Sequence, residues 1–269
     1  MRLGISSWSV PWAIGVAGTP APARPLGPLD LLELAAEAGA EVLQVADNLP
    51  LHPLPHSQWT ALGSAAAACD VALEVGSRGL QPDHLLLYLD IAQATGARLV
   101  RTLPHDGDDR PDFDEALRRL RAIARAYEQA GVTLAIENHD FYPSQWLRDL
   151  VDAANSPAVG VCLDAVNNLG LGESFREVLA NLGDRTVNFH CKDYTIRRKP
   201  TMLGFDVEGA AAGCGMLNLA AARRALRDDL SWIVESWLPW QGDGETTLQR
   251  EREWLSTGLS NLRRLRADS

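Results

Sequence analysis

Four ionisable residues stand where packing alone gives no reason for them. The run Thr133-Leu-Ala-Ile leads into Glu137, Val159-Gly-Val-Cys-Leu into Asp164, Thr186-Val-Asn-Phe into His190, and Ser231-Trp-Ile-Val into Glu235. Taken singly, each would read as a helix cap, an ion-pair partner or a core histidine. Together they sit at matching ends of four consecutive apolar runs. Three carboxylates and an imidazole gathered without a counter-charge would repel one another, and a divalent cation removes that repulsion while keeping the carboxylates ionised. The donor set is rich in oxygen, has one nitrogen and has no thiolate. It favours one divalent ion, Mn2+ or Mg2+, with Co2+ or Zn2+ as alternatives, over a structural zinc. Four protein ligands leave about two positions of an octahedron for substrate oxygens.

Residues so far apart in the chain meet only if the elements beneath them form a closed parallel sheet. Short apolar runs at 3–7, 42–46, 71–75, 99–103, 133–138, 159–164, 187–191 and 231–236 read as strands. Segments with apolar residues at three- to four-residue spacing lie between them, at 29–38, 58–68, 82–95, 113–129, 144–154, 173–181 and 217–227, and a last helix covers 248–265. Gly39, Gly96 and Gly131 each follow a helix, where a left-handed terminating residue is wanted. Ser144 and Glu173 fall near helix starts, where caps or negative charge are favoured. Eight βα units in a row predict one domain over residues 1–269, a (β/α)8 TIM barrel in the α/β class with the four residues at its C-terminal mouth. An open doubly wound sheet would require a glycine-rich GxGxxG or GxxxxGK[ST] turn after a strand, and none is present.

Two segments break the rhythm. Residues 11–28 are rich in Pro, Gly and Ala, and 193–216 form a long polar stretch with several glycines. Both follow strands, on the side of a barrel where sites are built. The second is expected to close as a lid over bound substrate.

Composition limits the partners. The net charge of -10 argues against a protein whose main work is gripping nucleic acid, because phosphate neutralisation needs a basic face. No run approaches the ~20 apolar residues of a membrane span, and the opening residues Met1-Arg-Leu-Gly-Ile-Ser6 lack the character of a signal peptide. Cys69, Cys162, Cys191 and Cys214 form no CxxC pair and read as small hydrophobes. A reduced, cytoplasmic location is the default expectation, with a small-molecule substrate and no membrane or nucleic-acid partner.

At these residues the sequence resembles the xylose-isomerase-like TIM barrel superfamily, in the branch of the sugar phosphate isomerases and epimerases. The matching motifs are Ala135-Ile-Glu-Asn-His139, Gly160-Val-Cys-Leu-Asp-Ala-Val-Asn167, Asn188-Phe-His-Cys-Lys-Asp193, Gly213-Cys-Gly-Met-Leu217 and Ile233-Val-Glu-Ser236, with lesser matches at Leu43-Gln-Val-Ala-Asp47 and Leu73-Glu-Val-Gly76. The resemblance implies that Glu137, Asp164, His190 and Glu235 bind the metal. It also implies that Glu137 and Glu235 exchange protons with substrate from opposite faces. The chemistry is coherent: a cation gripping a carbonyl and a neighbouring hydroxyl acidifies the C–H between them, and a carboxylate on each side can remove and return the proton. Similar proteins are commonly dimers or tetramers, so a homo-oligomer is expected. Two departures stand out. The ketose 3-epimerases usually carry a His three residues after the Asp ligand, and here that place is Asn167. Their substrate-binding Arg has only approximate counterparts in Arg197 and Arg198.

Further candidates surround the quartet. Lys192 shares the strand parity of His190, and either holds a substrate oxyanion or neutralises the acidic site. His139 has the parity of Glu137. Arg101, Arg197 and Arg198 offer binding for a carboxylate or phosphate, with surface roles as the alternative. Trp8 and Trp12 are candidates for the wall of a sugar pocket; Trp232 and Trp237 read as structural. The leading expectation is a metal-dependent isomerase or epimerase of a sugar or sugar acid. A metal-dependent lyase, decarboxylating or eliminating on a 3-oxo sugar acid or 3-oxo glycoside, is the alternative, since the same enediolate serves whichever bond breaks. An endonuclease IV-like repair enzyme would need a larger cluster than His105 and His139 can add, and basic DNA-binding loops. A non-catalytic metal- or sugar-binding protein is the remaining class.

Overall fold

The structure, a computed structural model, describes residues 1–268. The strands in chain order are β1 (Arg2–Ser6), β2 (Val42–Val45), β3 (Ala72–Arg78), β4 (Leu99–Leu103), β5 (Thr133–Glu137), β6 (Val159–Asp164), β7 (Thr186–Cys191), β8 (Asp193–Arg198), β9 (Phe205–Ala210) and β10 (Ser231–Val234). All but β8 and β9 close into one parallel barrel in the order β1-β10-β7-β6-β5-β4-β3-β2. Closure leaves no sheet edge, which the open-sheet alternative would have retained.

Around the barrel run α2 (Pro28–Glu37), α3 (His56–Ala68), α4 (Pro82–Thr95), α5 (Phe113–Ala130), α6 (Ser144–Ala154), α7 (Phe175–Leu182), α8 (Leu219–Ala225) and α9 (Gly244–Ala267), after a single-turn α1 (Pro11–Ile14) in the Pro-rich segment. Gly96 and Gly131 end their helices at φ +75° and +64°, as their positions in the sequence require. Glu173 caps a neighbour rather than its own helix: its carboxylate accepts from the N–H and hydroxyl of Ser144 at the start of α6, while Ser174 caps α7. Buried Leu, Ile, Val and Ala from the strands and the inner helix faces form the core. Among the described residues no helix is long and apolar enough to cross a membrane.

The stretch 193–216 departs from the expected irregular connection. It is an antiparallel hairpin, β8 against β9, paired from Asp193↔Ala210 to Arg198↔Phe205. Its base is tied by the fully buried Asp193 carboxylate, which accepts from the backbone N–H groups of Tyr194, Gly213, Gly215 and Leu217. A Cβ at Gly215 would collide with that carboxylate, so this glycine permits a close approach rather than movement.

Candidate metal and active site

Barrel register gathers the four strand-end residues. Asp164 pairs with His190 across β6 and β7, Glu137 ends β5, and Glu235 directly follows β10. All four are essentially inaccessible to solvent. Each carboxylate has one oxygen fastened. Glu137 Oε1 accepts from Asn167 Nδ2 at 2.7 Å, Asp164 Oδ1 accepts from the N–H groups of Val166 and Asn167 at 2.8 and 2.9 Å, and Glu235 Oε1 accepts from Ser6 Oγ at 2.8 Å. The second oxygens converge around His190 Nδ1, which lies 3.3 Å from Glu137 Oε2, 3.5 Å from Glu235 Oε2 and 3.9 Å from Asp164 Oδ2. The other ring nitrogen, Nε2, is 2.8 Å from Gln44 Oε1.

One buried atom in this cluster, His190 Nδ1, has no hydrogen-bond partner, and Asp164 Oδ2 is met by the Lys192 ammonium at 2.9 Å. An octahedral ion with bonds of about 2.1 Å spaces adjacent ligands roughly 3 Å apart, close to the separations seen. The unpartnered imidazole nitrogen and the three-carboxylate, one-imidazole donor set therefore fit a divalent cation. Cys162 Sγ also borders Glu137 and His190, but burial pushes its thiol well above the usual range and it donates to Asn188 Oδ1 at 3.1 Å. It is a protonated neighbour rather than a thiolate ligand.

Two cations offset the acidic cluster. Lys192 Nζ stands at ion-pair distance from Asp164 Oδ2 (2.9 Å) and Glu235 Oε2 (3.0 Å). Burial opposes its charge, but Asp164, Glu235 and Glu137 override burial and raise its pKa. Arg101 donates from Nε to Glu137 Oε2 and from Nη1 to Asp47 Oδ1 (2.6 Å) and the Ser77 carbonyl (3.3 Å). Burial works against ionisation of Glu137, yet Arg101 and then His190 hold its carboxyl well below the usual carboxylate range. Glu235 is lowered too: burial raises it, and His190 and Lys192 prevail.

A cavity of about 260 Å³ opens above the cluster, lined by Trp8, Arg78, Arg101, His139, Asn167, Lys192, Glu235 and Trp237 among others. Lys192 lies 5.6 Å from the Trp237 ring centroid. His139 Nδ1 is 3.2 Å from Nε2 of the buried His105. Of the sequence-derived candidates, Lys192, His139, Asn167 and Arg101 thus border one mouth. Trp12 does not: its indole donates to the Leu238 carbonyl at 2.8 Å and its ring faces Trp240, in a separate cleft with Pro20 and Pro22. Arg197 also lies elsewhere, on the hairpin, in a cleft with Glu208, Arg250 and Glu253, and Arg198 covers the Phe205 ring. Trp237, expected to be structural, joins Trp8 in walling the mouth. Sequence reasoning missed Ser6, Gln44, Asp47 and Arg78. Asp47 and Gln44 lie within the motif Leu43-Gln-Val-Ala-Asp47, and a glutamine inside the apolar run Val42-Leu-Gln-Val is the signal that could have found Gln44.

A family model described as Xylose isomerase-like TIM barrel matches residues 32–257. The chain belongs to this family. Among family relatives, the 3-oxo-isoapionate decarboxylase of Pectobacterium atrosepticum is 34% identical over 265 residues, covering 97% of this chain and 95% of that protein. The barrel also superposes on D-psicose 3-epimerase from Clostridium cellulolyticum H10 with D-tagatose, at TM-score 0.70 and 15% identity over 99% of both chains. It superposes as well on a xylose isomerase-like TIM barrel protein from Mycobacterium smegmatis in complex with magnesium, at TM-score 0.66 and 16% identity over 87% and 89% of the two chains. This is a family of sugar-processing barrels; the relative in sequence is a decarboxylase, and a neighbour in fold is an epimerase.

Proposed function

We propose that the protein is a divalent-metal-dependent decarboxylase of a 3-oxo sugar acid, so that the alternative raised by the sequence takes precedence over the epimerase. The observation that carries this reading is the fastening of Glu137. Epimerisation through two bases needs a carboxylate on each face that can take a proton. Glu137 has both oxygens engaged, one by Asn167 and one by the buried Arg101, and the guanidinium depresses its basicity. It is suited to hold a cation and poorly suited to remove a proton from carbon. Decarboxylation of a 3-oxo acid needs no base. The C1–C2 bond breaks, its electron pair moves into an enolate across C2 and C3, and C2 then takes one proton. The relationship to the Pectobacterium decarboxylase along nearly the whole chain supports the same reading.

Glu137, Asp164, His190 and Glu235 would hold the cation, with Mn2+ or Mg2+ favoured by the oxygen-rich donors. When bound, the cation supplies electrophilic pull on the 3-oxo oxygen. The chain's own groups do the rest. Lys192 Nζ, which lines the cavity beside Glu235 Oε2, carries the proton that C2 receives; in this reading Glu235 holds the cation and steadies that ammonium, in place of the proton exchange with substrate expected of it. Trp8 and Trp237 wall the site and limit water at the enolate. Asn167 acts on Glu137 rather than directly on substrate.

The test is incubation of the Mn2+-loaded protein with 3-oxo sugar acids in D2O. The expected result is CO2 release, one deuterium at C2 of the product, and none in recovered substrate. Deuterium washed into recovered substrate or its epimer, without CO2, would overturn the decarboxylase and restore the two-base epimerase.

A further inference from the structure

Below the metal-facing atoms lies a second polar layer inside the barrel, and no step described above uses it. Its centre is Glu74, on β3, 3% exposed in a position that barrels usually fill with branched apolar side chains. Three groups donate to its carboxylate: Gln44 Nε2 at 3.0 Å, Asn188 Nδ2 at 3.0 Å and Ser231 Oγ at 2.5 Å. Asn188 Oδ1 also accepts from Gln44 Nε2 at 3.2 Å.

This wiring settles which way the Gln44 amide faces. Burial raises the pKa of Glu74, but Oε2, the oxygen that faces both amides, accepts hydrogen bonds whether or not Oε1 carries a proton. Glu74 therefore requires an NH2 from Gln44, and the same carboxylate turns the Asn188 amide so that its oxygen meets that NH2 as well. The opposite end of Gln44, Oε1, is then left facing His190 Nε2 at 2.8 Å. A carbonyl oxygen there demands a proton on Nε2. The neutral imidazole must then present its lone pair at Nδ1, toward the three carboxylates. We infer that Glu74, acting through Gln44, is the positioning residue that sets the His190 tautomer and so makes Nδ1 the metal-binding atom. Glu74 touches neither the cation site nor the cavity; its effect passes through one amide. Partners of this kind typically alter metal affinity 10- to 100-fold when removed.

The inference rests on the metal site but not on which reaction occurs there, and its readout is binding. Mn2+ affinity is measured by isothermal titration calorimetry for Glu74→Met, Gln44→Met and the double variant Glu74→Met/Gln44→Glu. Glu74→Met frees both amides to turn and should weaken Mn2+ binding on the order of 10- to 100-fold. Gln44→Met should weaken it by a similar factor, and keeps the inference testable where Glu74→Met fails to fold. The double variant moves the carboxylate to position 44, where it accepts from His190 Nε2–H without needing Glu74, and should return affinity to within about threefold of the unsubstituted protein. A merely structural Glu74 would not be bypassed in this way. In the Zn2+-loaded unsubstituted protein and in the double variant, 15N-histidine spectra should show a slowly exchanging proton on His190 Nε2. Unchanged Mn2+ affinity in either single variant that folds, or a double variant as weak as Glu74→Met, would overturn the inference. Loss of CO2 release with these affinities behaving as stated would count against the decarboxylase reading alone.

Discussion

The mouth of the barrel and the β8–β9 hairpin are separated by only one residue, Lys192, yet they are built on opposite terms. In the mouth the quartet, Lys192 and Arg101 are buried and fastened, and each carboxylate of the quartet has an oxygen tied by a neighbouring amide, hydroxyl or backbone N–H. In the hairpin the fixed point is at the base, where Asp193 gathers four backbone N–H groups. Beyond it, Ile196, Phe205 and Val207 are exposed, and Leu203 at the tip is 82% exposed. Charge is arranged for binding where the closed sheet imposes spacing, whereas the projecting segment is held only where it leaves the sheet. A glycine-rich loop after a barrel strand is therefore not by itself a lid. Two of the glycines that invite that reading, Gly213 and Gly215, lie against Asn261 and the Asp193 clamp.

The comparison breaks most severely if the mouth is altered. His190→Ala and Asp164→Asn each remove one converging ligand atom, and both should lower bound Mn2+ from about one ion per chain to below ~0.1 at micromolar protein and metal. Elemental analysis after gel filtration checks this. Retention of full metal content would dissolve the site assignment.

Lys192→Met should separate two roles within the mouth. The ammonium stands against the same oxygens that would face a cation. Its removal should tighten Mn2+ binding several-fold, by roughly 1 kcal/mol as expected for relief of a competing charge, while kcat falls on the order of 100-fold with loss of the proton donor. Calorimetry and steady-state kinetics read the two effects. Weaker metal binding would make Lys192 a support rather than a competitor.

At the hairpin, Asp193→Ala leaves four N–H groups without their acceptor and should cost about 3 kcal/mol. Hydrogen exchange should quicken across residues 193–217, with metal content unchanged at about one ion per chain. A parallel loss of metal would mean that hairpin and mouth are one unit.

The smallest effect belongs to a second clamp of the same design. Glu251 accepts from the N–H groups of Trp12 and Ala13, and burial pushes its carboxyl up to about 7. A raised folded-state pKa means that the folded protein binds the extra proton between about 4.5 and 7, so this group's contribution to stability declines as pH rises through that window. Glu251→Gln should therefore shift Tm more favourably at pH 8 than at pH 5, by about 1–3 °C. Equal shifts at both pH values would remove the burial argument.

The barrel was legible because strand and helix periodicities alternate along the chain outside residues 11–28 and 193–216, and because Gly96 and Gly131 mark their helix ends. The quartet was legible for a related reason: an acid at the carboxyl end of an apolar strand points to the mouth wherever the barrel closes. What supports the quartet was hidden. Ser6 meets Glu235 across 229 residues, and Gln44 meets His190 across 146. Such pairs exist only once β1 and β2 have closed the ring, and neither a serine nor a glutamine advertises its partner. The contacts of Arg101 and Asn167 with Glu137 were hidden for the same cause. Both were placed near the mouth, but their engagement with Glu137 depends on the facing of β4, β5 and the turn after β6. The hairpin escaped because Tyr194-Thr195-Ile196-Arg197-Arg198 alternates weakly and neither of its strands has a buried face along its length.

Lys192 carries one more consequence, for the order of events in the life of the chain. Without an ion, three buried carboxylates on neighbouring strands would push the ring apart as it closed. The tethered ammonium lies among them and supplies a positive charge from within the polypeptide. Closure can therefore precede loading. Under the proposed function, a cell short of the ion would accumulate finished, inactive barrels rather than unfolded chains, and supplying the ion would restore activity with no new synthesis.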